Sequence, residues 1–418
     1  MRPFPLVAVL IGATLLPACG TLSEPASSPF SSSSQASAPA PAPLLSVPIE
    51  RGKRWMAQAT GADGQTFSLA LDTGATYAVL ERGGRLPARP MSEEEHRRFL
   101  VQGTLDAPVD REGLTVDTLS GASTMQVGTT PALRIQGWAL PAGEVAVMAD
   151  LTRFNARTAR RIDGILGMEA MRRLVWRADY TAGRLTAYAD AAPAHAWQQC
   201  TFMTLEPSQR MPVIPYWLDR DNGGFIGIDT GSNGDIAISA QDFDRLDAGH
   251  GFERVGLNWG YGLSGDYAFV RQGLLAGMRF GQRTLPKLTV DRVETAQPQL
   301  GMGVLARMDR FELDFRRGQF CFDMAADARD SHVSMLGAAL VRVDGAIKVE
   351  AVSPDGRLGQ SGIRPGDVIA SIGPEAVGAL SDTEVNARLE DPATQSIGVQ
   401  RDGKSVGVRL RGMSPGER

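Results

Sequence analysis

An internal repeat limits how this chain can fold more than any other feature. Phe67-Ser-Leu-Ala-Leu71 alternates and runs into Asp72-Thr73-Gly74, and Phe225-Ile-Gly-Ile228 runs into Asp229-Thr230-Gly231 in the same way. A second apolar strand follows each turn, Tyr77-Ala-Val-Leu80 in one copy and Ile236-Ala-Ile238 in the other. Farther on, Ile165-Leu166-Gly167-Met168 is matched by Leu300-Gly301-Met302. Trp176-Arg-Ala-Asp179 with Gly183-Arg-Leu185 is matched by Phe311-Glu-Leu-Asp314 with Gly318-Gln-Phe320. Period-2 alternation broken by Gly-containing turns predicts strands, so the chain is expected to be mainly β. Duplication at this length predicts two similar lobes related by a pseudo-two-fold axis. The first copy is longer, with its extra loop mostly between residues 84 and 115.

Length and charge set the outer bounds. A chain of 418 residues holds two or three compact units. Its net charge of −4 is spread over well-mixed residues with no polybasic run, which argues against nucleic acid as a partner and against electrostatic membrane docking. At the N-terminus, Arg2 precedes the apolar run Phe4–Leu16, too short to span a bilayer but suited to a signal peptide. Ala18-Cys19-Gly20 resembles a bacterial lipobox, in which Cys19 becomes the acylated N-terminus; the other reading is a plain signal peptide with an incidental cysteine. Gly20 after the cysteine resembles lipoproteins sorted to the outer membrane of a Gram-negative host, which would face the body toward the periplasm. Residues 1–19 are thus the expected signal peptide. Residues 20–46, rich in Ser, Pro and Ala, are the expected tether, since such a composition cannot bury a core. Cys200 and Cys321 remain, and in an oxidising compartment they either pair or stay as two buried thiols.

A strand that delivers an Asp into a Thr-Gly turn presents a carboxylate rigidly, because Gly lets backbone N–H groups approach it. Two such turns on related lobes place Asp72 and Asp229 side by side, where one proton is shared. One member then acts as base toward water while the other polarises a carbonyl. Leu71-Asp72-Thr73-Gly74-Ala75 and Ile228-Asp229-Thr230-Gly231-Ser232, with Ile165-Leu166-Gly167 and Gln299-Leu300-Gly301, resemble the motifs of the aspartic peptidase superfamily that includes pepsins and retropepsins. The resemblance covers roughly residues 47–325. It implies two β-barrel lobes, 47–192 and 193–325, flanking a central cleft that takes a polypeptide. It also implies that Asp72 and Asp229 are catalytic, that Thr73 and Thr230 each brace the opposite lobe, and that Gly74, Gly231 and Ser232 support the loops. With both acids in one chain, the expected form is a monomer. The family usually follows Asp-Thr-Gly with Ser or Thr, and here Ala75 replaces it in one copy. A Ser232 hydroxyl donating to Asp229 would make Asp229 the more readily ionised acid and Asp72 the proton holder. Residues 113–150, where a pepsin carries a flap Tyr, contain only Trp138 as an aromatic.

The last region, 334–412, resembles a PDZ domain, a small α+β fold, through Ser353-Pro354 and Gly362-Ile363-Arg364-Pro365-Gly366-Asp367-Val368-Ile369. The resemblance puts the carboxylate-binding loop at Leu336, Gly337 and Ala338. It implies a peptide C-terminus adding as a strand beside Leu340–Val343, with the helix Ser381–Leu389 as the other wall. A PDZ fold used only for packing is the alternative. The four histidines, His96, His195, His250 and His332, are scattered without a His-Glu-x-x-His, so no metal or other cofactor is expected; Gly-x-Ser-x-Gly is also lacking. The chain therefore reads as a lipid-anchored aspartic endopeptidase of the cell envelope. The competing readings are a non-catalytic peptide-binding envelope protein and a narrow hydrolase of cell-wall amides.

Overall fold

The computed structural model describes residues 41–86, 88–101, 114–118, 121–158, 160–206, 211–218, 223–262, 267–294 and 297–412. Cys19 and the expected signal peptide lie outside the described residues. The chain is mainly β, with strands gathered into four sheets and few helices longer than two turns. No helix among the described residues is long and apolar enough to cross a membrane.

The repeat in the sequence becomes a repeat in wiring. In the first half, Thr66–Leu71 runs parallel to Gly164–Leu166, which is antiparallel to Ala78–Glu81. Ala78–Glu81 is parallel to Val145–Ala149, which is antiparallel to Gly121–Thr129, the second arm of a hairpin with Leu114–Thr118. In the second half, Gly223–Ile228 runs parallel to Gln299–Leu300, which is antiparallel to Ile236–Ser239. Ile236–Ser239 is parallel to Arg283–Val293, which is antiparallel to Tyr267–Phe280, the second arm of a hairpin with Phe252–Tyr261. Alternation drives both copies: Phe67, Leu69 and Leu71 are buried in one, Ile226 and Ile228 in the other. A helix follows the turn-and-strand unit in each half. Glu93–Val101 opens on a Ser92/Glu95 capping box, and Ala240–Ala248 on Ser239, whose hydroxyl accepts from the Asp242 N–H.

A six-stranded sheet joins the halves. Its middle pair is Val175–Asp179 against Met308–Asp314, the matching strands of the two copies. One continuous core spans the join, with Trp55 stacked on Phe311 at 5.6 Å between ring centres. At the edge of this sheet Cys200 faces Cys321 across Gln199–Phe202 and Gln319–Met324, and the two form a disulfide. The pairing left open by the sequence is thereby settled.

The C-terminal sheet runs in the order Ala338–Val343, Ala346–Val352, Val368–Ile372, Ser396–Arg401, Lys404–Arg409. It has its own core of Leu336, Ile347, Val349, Leu358, Ile369, Val385 and Leu389 among others. Arg357 is buried beneath it and donates to the carbonyls of Leu389, Asp391, Thr394 and Arg411. Helix Asp382–Glu390 begins at Ser381 with a capping box to Glu384, as the sequence predicts to within a residue. Gly366 sits at φ 92°, a left-handed position that a side chain would strain.

Candidate active site

Each Asp-Thr-Gly turn is anchored from behind by the Leu-Gly step of its own half. The Asp72 N–H donates to Leu166 O (3.0 Å) and the Asp229 N–H to Leu300 O (2.8 Å). The next contact also repeats, Met168 N–H to Ala75 O and Met302 N–H to Ser232 O, both 2.8 Å. The glycine of each step is required by close approach. A Cβ on Gly167 would lie 2.4 Å from Tyr77 O, and one on Gly301 would lie 2.4 Å from Gly234 O.

The two turns are locked to each other through their threonines, both fully buried. Thr73 Oγ1 donates to Ile228 O (2.6 Å) and accepts from the Thr230 N–H (3.0 Å). Thr230 Oγ1 donates to Leu71 O (3.0 Å) and accepts from the Thr73 N–H (3.0 Å). Four buried backbone groups are thus satisfied by two hydroxyls from opposite halves, and the turns cannot shift independently.

This lock brings the carboxylates together. A Cβ built on Gly74 would lie 2.5 Å from Asp229 Cγ, and one on Gly231 would lie 2.2 Å from Asp72 Oδ2. Each acid therefore sits over the bare backbone of the other acid's turn. Gly74 N–H donates to Asp72 Oδ1 (2.8 Å), and Gly231 N–H to Asp229 Oδ1 (2.8 Å). Burial, then the adjacent Asp72 carboxylate, push Asp229 up to about 8.

The asymmetry expected from Ser232 has no hydroxyl bond behind it. The donor from Ser232 to Asp229 Oδ1 is its backbone N–H (3.1 Å), while the hydroxyl oxygen lies 3.0 Å from where a Cβ on Gly301 would sit. Without a hydroxyl bond from Ser232 the expected preference for an ionised Asp229 loses its cause, and burial beside the neighbouring carboxylate leaves the pair sharing one proton.

The remaining expected site residues lie elsewhere. Leu336, Gly337 and Ala338 are buried at the start of the C-terminal sheet's edge strand, apart from the acid pair. One N–H of that loop, on Leu336, already donates to Ser334 Oγ (3.3 Å). Trp138 is buried, edge-on to Trp176 at 5.6 Å, and serves the core rather than any cleft. His195 pairs with Asp323 (2.7 Å), and among the described residues no three of His, Cys, Asp or Glu converge so as to hold a metal ion.

Sequence reading missed the acids behind the second turn. Asp235 Oδ2 accepts from the Thr289 N–H (2.9 Å), Thr289 Oγ1 (3.0 Å) and Ser331 Oγ (2.5 Å), and faces buried Arg307. Asp291 accepts from Gln272 Nε2 (2.7 Å) and Asn258 Nδ2 (3.2 Å), and burial pushes it up to about 6. The available hint was Asp291 inside an apolar strand pattern and Asp235 directly before one, where a charge needs a partner. No family model matches this chain, and no curated protein matches it.

Proposed function

We propose that the chain is an aspartic endopeptidase of the pepsin and retropepsin type, hydrolysing peptide bonds with a water activated between Asp72 and Asp229. One observation carries this reading: each carboxylate is seated over the glycine of the opposite turn, with the turns tied by reciprocal threonine bonds. Two carboxylates so close retain one proton between them, a behaviour for which aspartic proteases are the reference case. In the working state the ionised member of the pair takes the proton from the attacking water, and the protonated member donates to the scissile carbonyl oxygen. The tetrahedral intermediate then collapses as the amine leaves with a proton, and no covalent enzyme intermediate forms.

On this reading residues 47–192 and 193–325 are the two lobes, and the cleft between them takes an extended polypeptide. Residues 334–412 are a PDZ module that recruits substrate or controls the site, with Leu336–Ala338 as its peptide-binding loop. The protein is exported, anchored through acylated Cys19 at the outer membrane facing the periplasm, and works as a monomer. The strand Leu45–Pro48 pairs with Arg184–Tyr188 and buries Leu45, so the body begins before residue 45 rather than at 47, and the experiment is cleavage of a peptide library by the chain from residue 41 onward, beside Asp72→Asn and Asp229→Asn. Cleavage lost in both variants and blocked by a statine-type inhibitor supports the reading. Activity surviving either substitution refutes the pair. An intact chain that binds extended peptides but never cleaves them would make it a binding protein instead.

A further inference from the structure

The described residues from Pro41 onward form one compact unit, so the C-terminal sheet does not stand off from the acid pair's halves. The connection between them is short and tightly held. Ser331 Oγ donates to Asp235 Oδ2 (2.5 Å) and accepts from Arg307 Nη2 (2.7 Å), while its N–H donates to Lys287 O (3.0 Å). Asp235 lies in the loop that leaves the Asp229 turn, and its carbonyl accepts from the Gly301 N–H (2.8 Å). Gly301 follows Leu300, whose carbonyl holds the Asp229 N–H. A continuous run of bonds therefore leads from Ser331 to Asp229.

Three residues on, the same segment meets the long hairpin of the second half. Leu257 N–H donates to Ser334 O (3.0 Å). Gly256 is so close that a Cβ there would lie 2.4 Å from Ser334 O and 2.5 Å from Val333 Cγ1. Leu257 Cδ1 lies 3.4 Å from where a Cβ on Gly337 would be. At its other end this hairpin reaches the first half. Tyr261 packs edge-on against Phe154 at 5.7 Å, within the cluster of Ala70, Tyr77 and Ile165 that backs the Asp72 turn. Segment 331–337 then opens directly into Ala338–Val343, an edge strand that among the described residues is hydrogen-bonded as a ladder only to Ala346–Val352 and also lies against Phe252–Tyr261, with Ala338 and Ala339 buried.

We propose that segment 331–337 is a clamp that couples this edge strand to the acid pair, so that an extended peptide adding to Ala338–Val343 and the state of Asp72 and Asp229 bias each other. An edge strand with open backbone groups accepts a peptide by strand addition. Such addition pulls on Leu336–Ala338, and with it on Leu257 and Ser331. Through Ser331 the displacement reaches Asp235 and the Asp229 turn, and through the hairpin it reaches the wall behind Asp72. The proposal rests on the peptidase reading and names the regulation of that site.

Coupling is reciprocal, so it can be read from the acid pair without knowing the peptide. The probe is a statine-type inhibitor added to the full chain, with amide hydrogen exchange followed by mass spectrometry. Inhibitor binding is expected to change exchange across 338–343 by about fivefold or more. Ser331→Ala, and separately Leu257→Ala, is expected to abolish that change while leaving protection around Asp72 and Asp229 intact. Protection of the acid pair with unchanged exchange at 338–343 overturns the clamp. Failure of the inhibitor to protect the pair overturns the peptidase reading instead. The clamp is then judged in the uninhibited chain, where Ser331→Ala or Leu257→Ala must speed exchange at Gly231 and Ser232 by about fivefold, and unchanged rates refute it.

Discussion

Replacing Thr230 by Val removes one hydroxyl and almost nothing else, so its effect can be worked out from the bonds it breaks. Thr230 Oγ1 accepts from the Thr73 N–H and donates to Leu71 O, each at 3.0 Å, and both partners are backbone groups in a fully buried site. Val fills the same volume, so no cavity term enters, but it leaves one N–H and one C=O buried and unpaired. At about 1–3 kcal/mol for each orphaned group, the cost is about 2–6 kcal/mol. Calorimetric melting should show this as a fall of roughly 4 °C or more in the transition of the acid-bearing body. Catalysis should suffer more than stability. Leu71 directly precedes Asp72, so relaxation of its carbonyl moves the acid, and a misplacement of about 1 Å costs about a hundredfold in kcat/KM. Thr230→Ser keeps the hydroxyl and should stay within about 1 kcal/mol and tenfold of the parent. The double variant Thr73→Val/Thr230→Val should depart from additivity by about 0.5–3 kcal/mol, because the two hydroxyls serve one interlocked set of backbone groups. If Thr230→Val melts and cleaves like the parent while Thr230→Ser does too, the threonine lock does not hold the carboxylates.

Four further outcomes follow from the structure. Asp229 is raised from 3.8 to about 8, so between those values the folded chain binds a proton that the unfolded chain has released; stability should fall as pH rises across that window, and Asp229→Asn should flatten the melting-temperature profile there. Cleavage should vanish toward the upper end of the same window, as the shared proton is lost, which a pH profile of kcat/KM checks. Gly74→Ala puts a Cβ 2.5 Å from Asp229 Cγ and should abolish cleavage, with far-UV circular dichroism unchanged, whereas Gly407→Ala, with open space around it and no left-handed backbone, should cleave normally. Reducing Cys200–Cys321, which closes a sequence separation of 121, should cost about 2–4 kcal/mol and lower the melting temperature without altering the acid pair.

The parts of this structure legible in the sequence are those encoded locally or in duplicate. Asp-Thr-Gly after an alternating strand fixes its own turn, and the matching Leu-Gly steps reveal which distant strand supports it, because the same pair occurs twice. Ser381 and Glu384 announce a helix start within four residues, and the cap is where they put it. What stayed hidden depends on residues that belong to no motif. Ser331, Asp235 and Arg307 are ordinary polar residues far apart in the chain, and only folding brings them into one bonded group. The Ser232 hydroxyl was misread for a related reason. Its oxygen lies close to Gly301, which caps the short helix Met302–Leu305, and it makes no bond to Asp229. Cys200 and Cys321 could pair or not on sequence grounds, and the antiparallel register between their strands decides it.

The departures from symmetry also have a physical reading. A pair of acids built by two identical chains would see identical surroundings, since a two-fold interface repeats every contact. Here both acids belong to one chain, so the halves are free to diverge, and they have done so behind the turns. The hairpin of the first half has arms of 5 and 9 residues, while that of the second has arms of 10 and 14 and reaches both the first half and the C-terminal sheet. Asp235, which the C-terminal connection grips through Ser331, stands directly before Ile236–Ser239; the residue directly before the matching strand Ala78–Glu81 is Tyr77, which packs in the cluster behind the Asp72 turn. The half that carries Asp229 is therefore also the half wired to the C-terminal sheet. If segment 331–337 loosens, the first property to change should be the ionisation of Asp229, because that is where the bonded run ends. Ser331→Ala should accordingly move the upper limb of the pH profile before it moves KM, whereas a residue that only supports the fold would lower melting temperature and leave that limb in place.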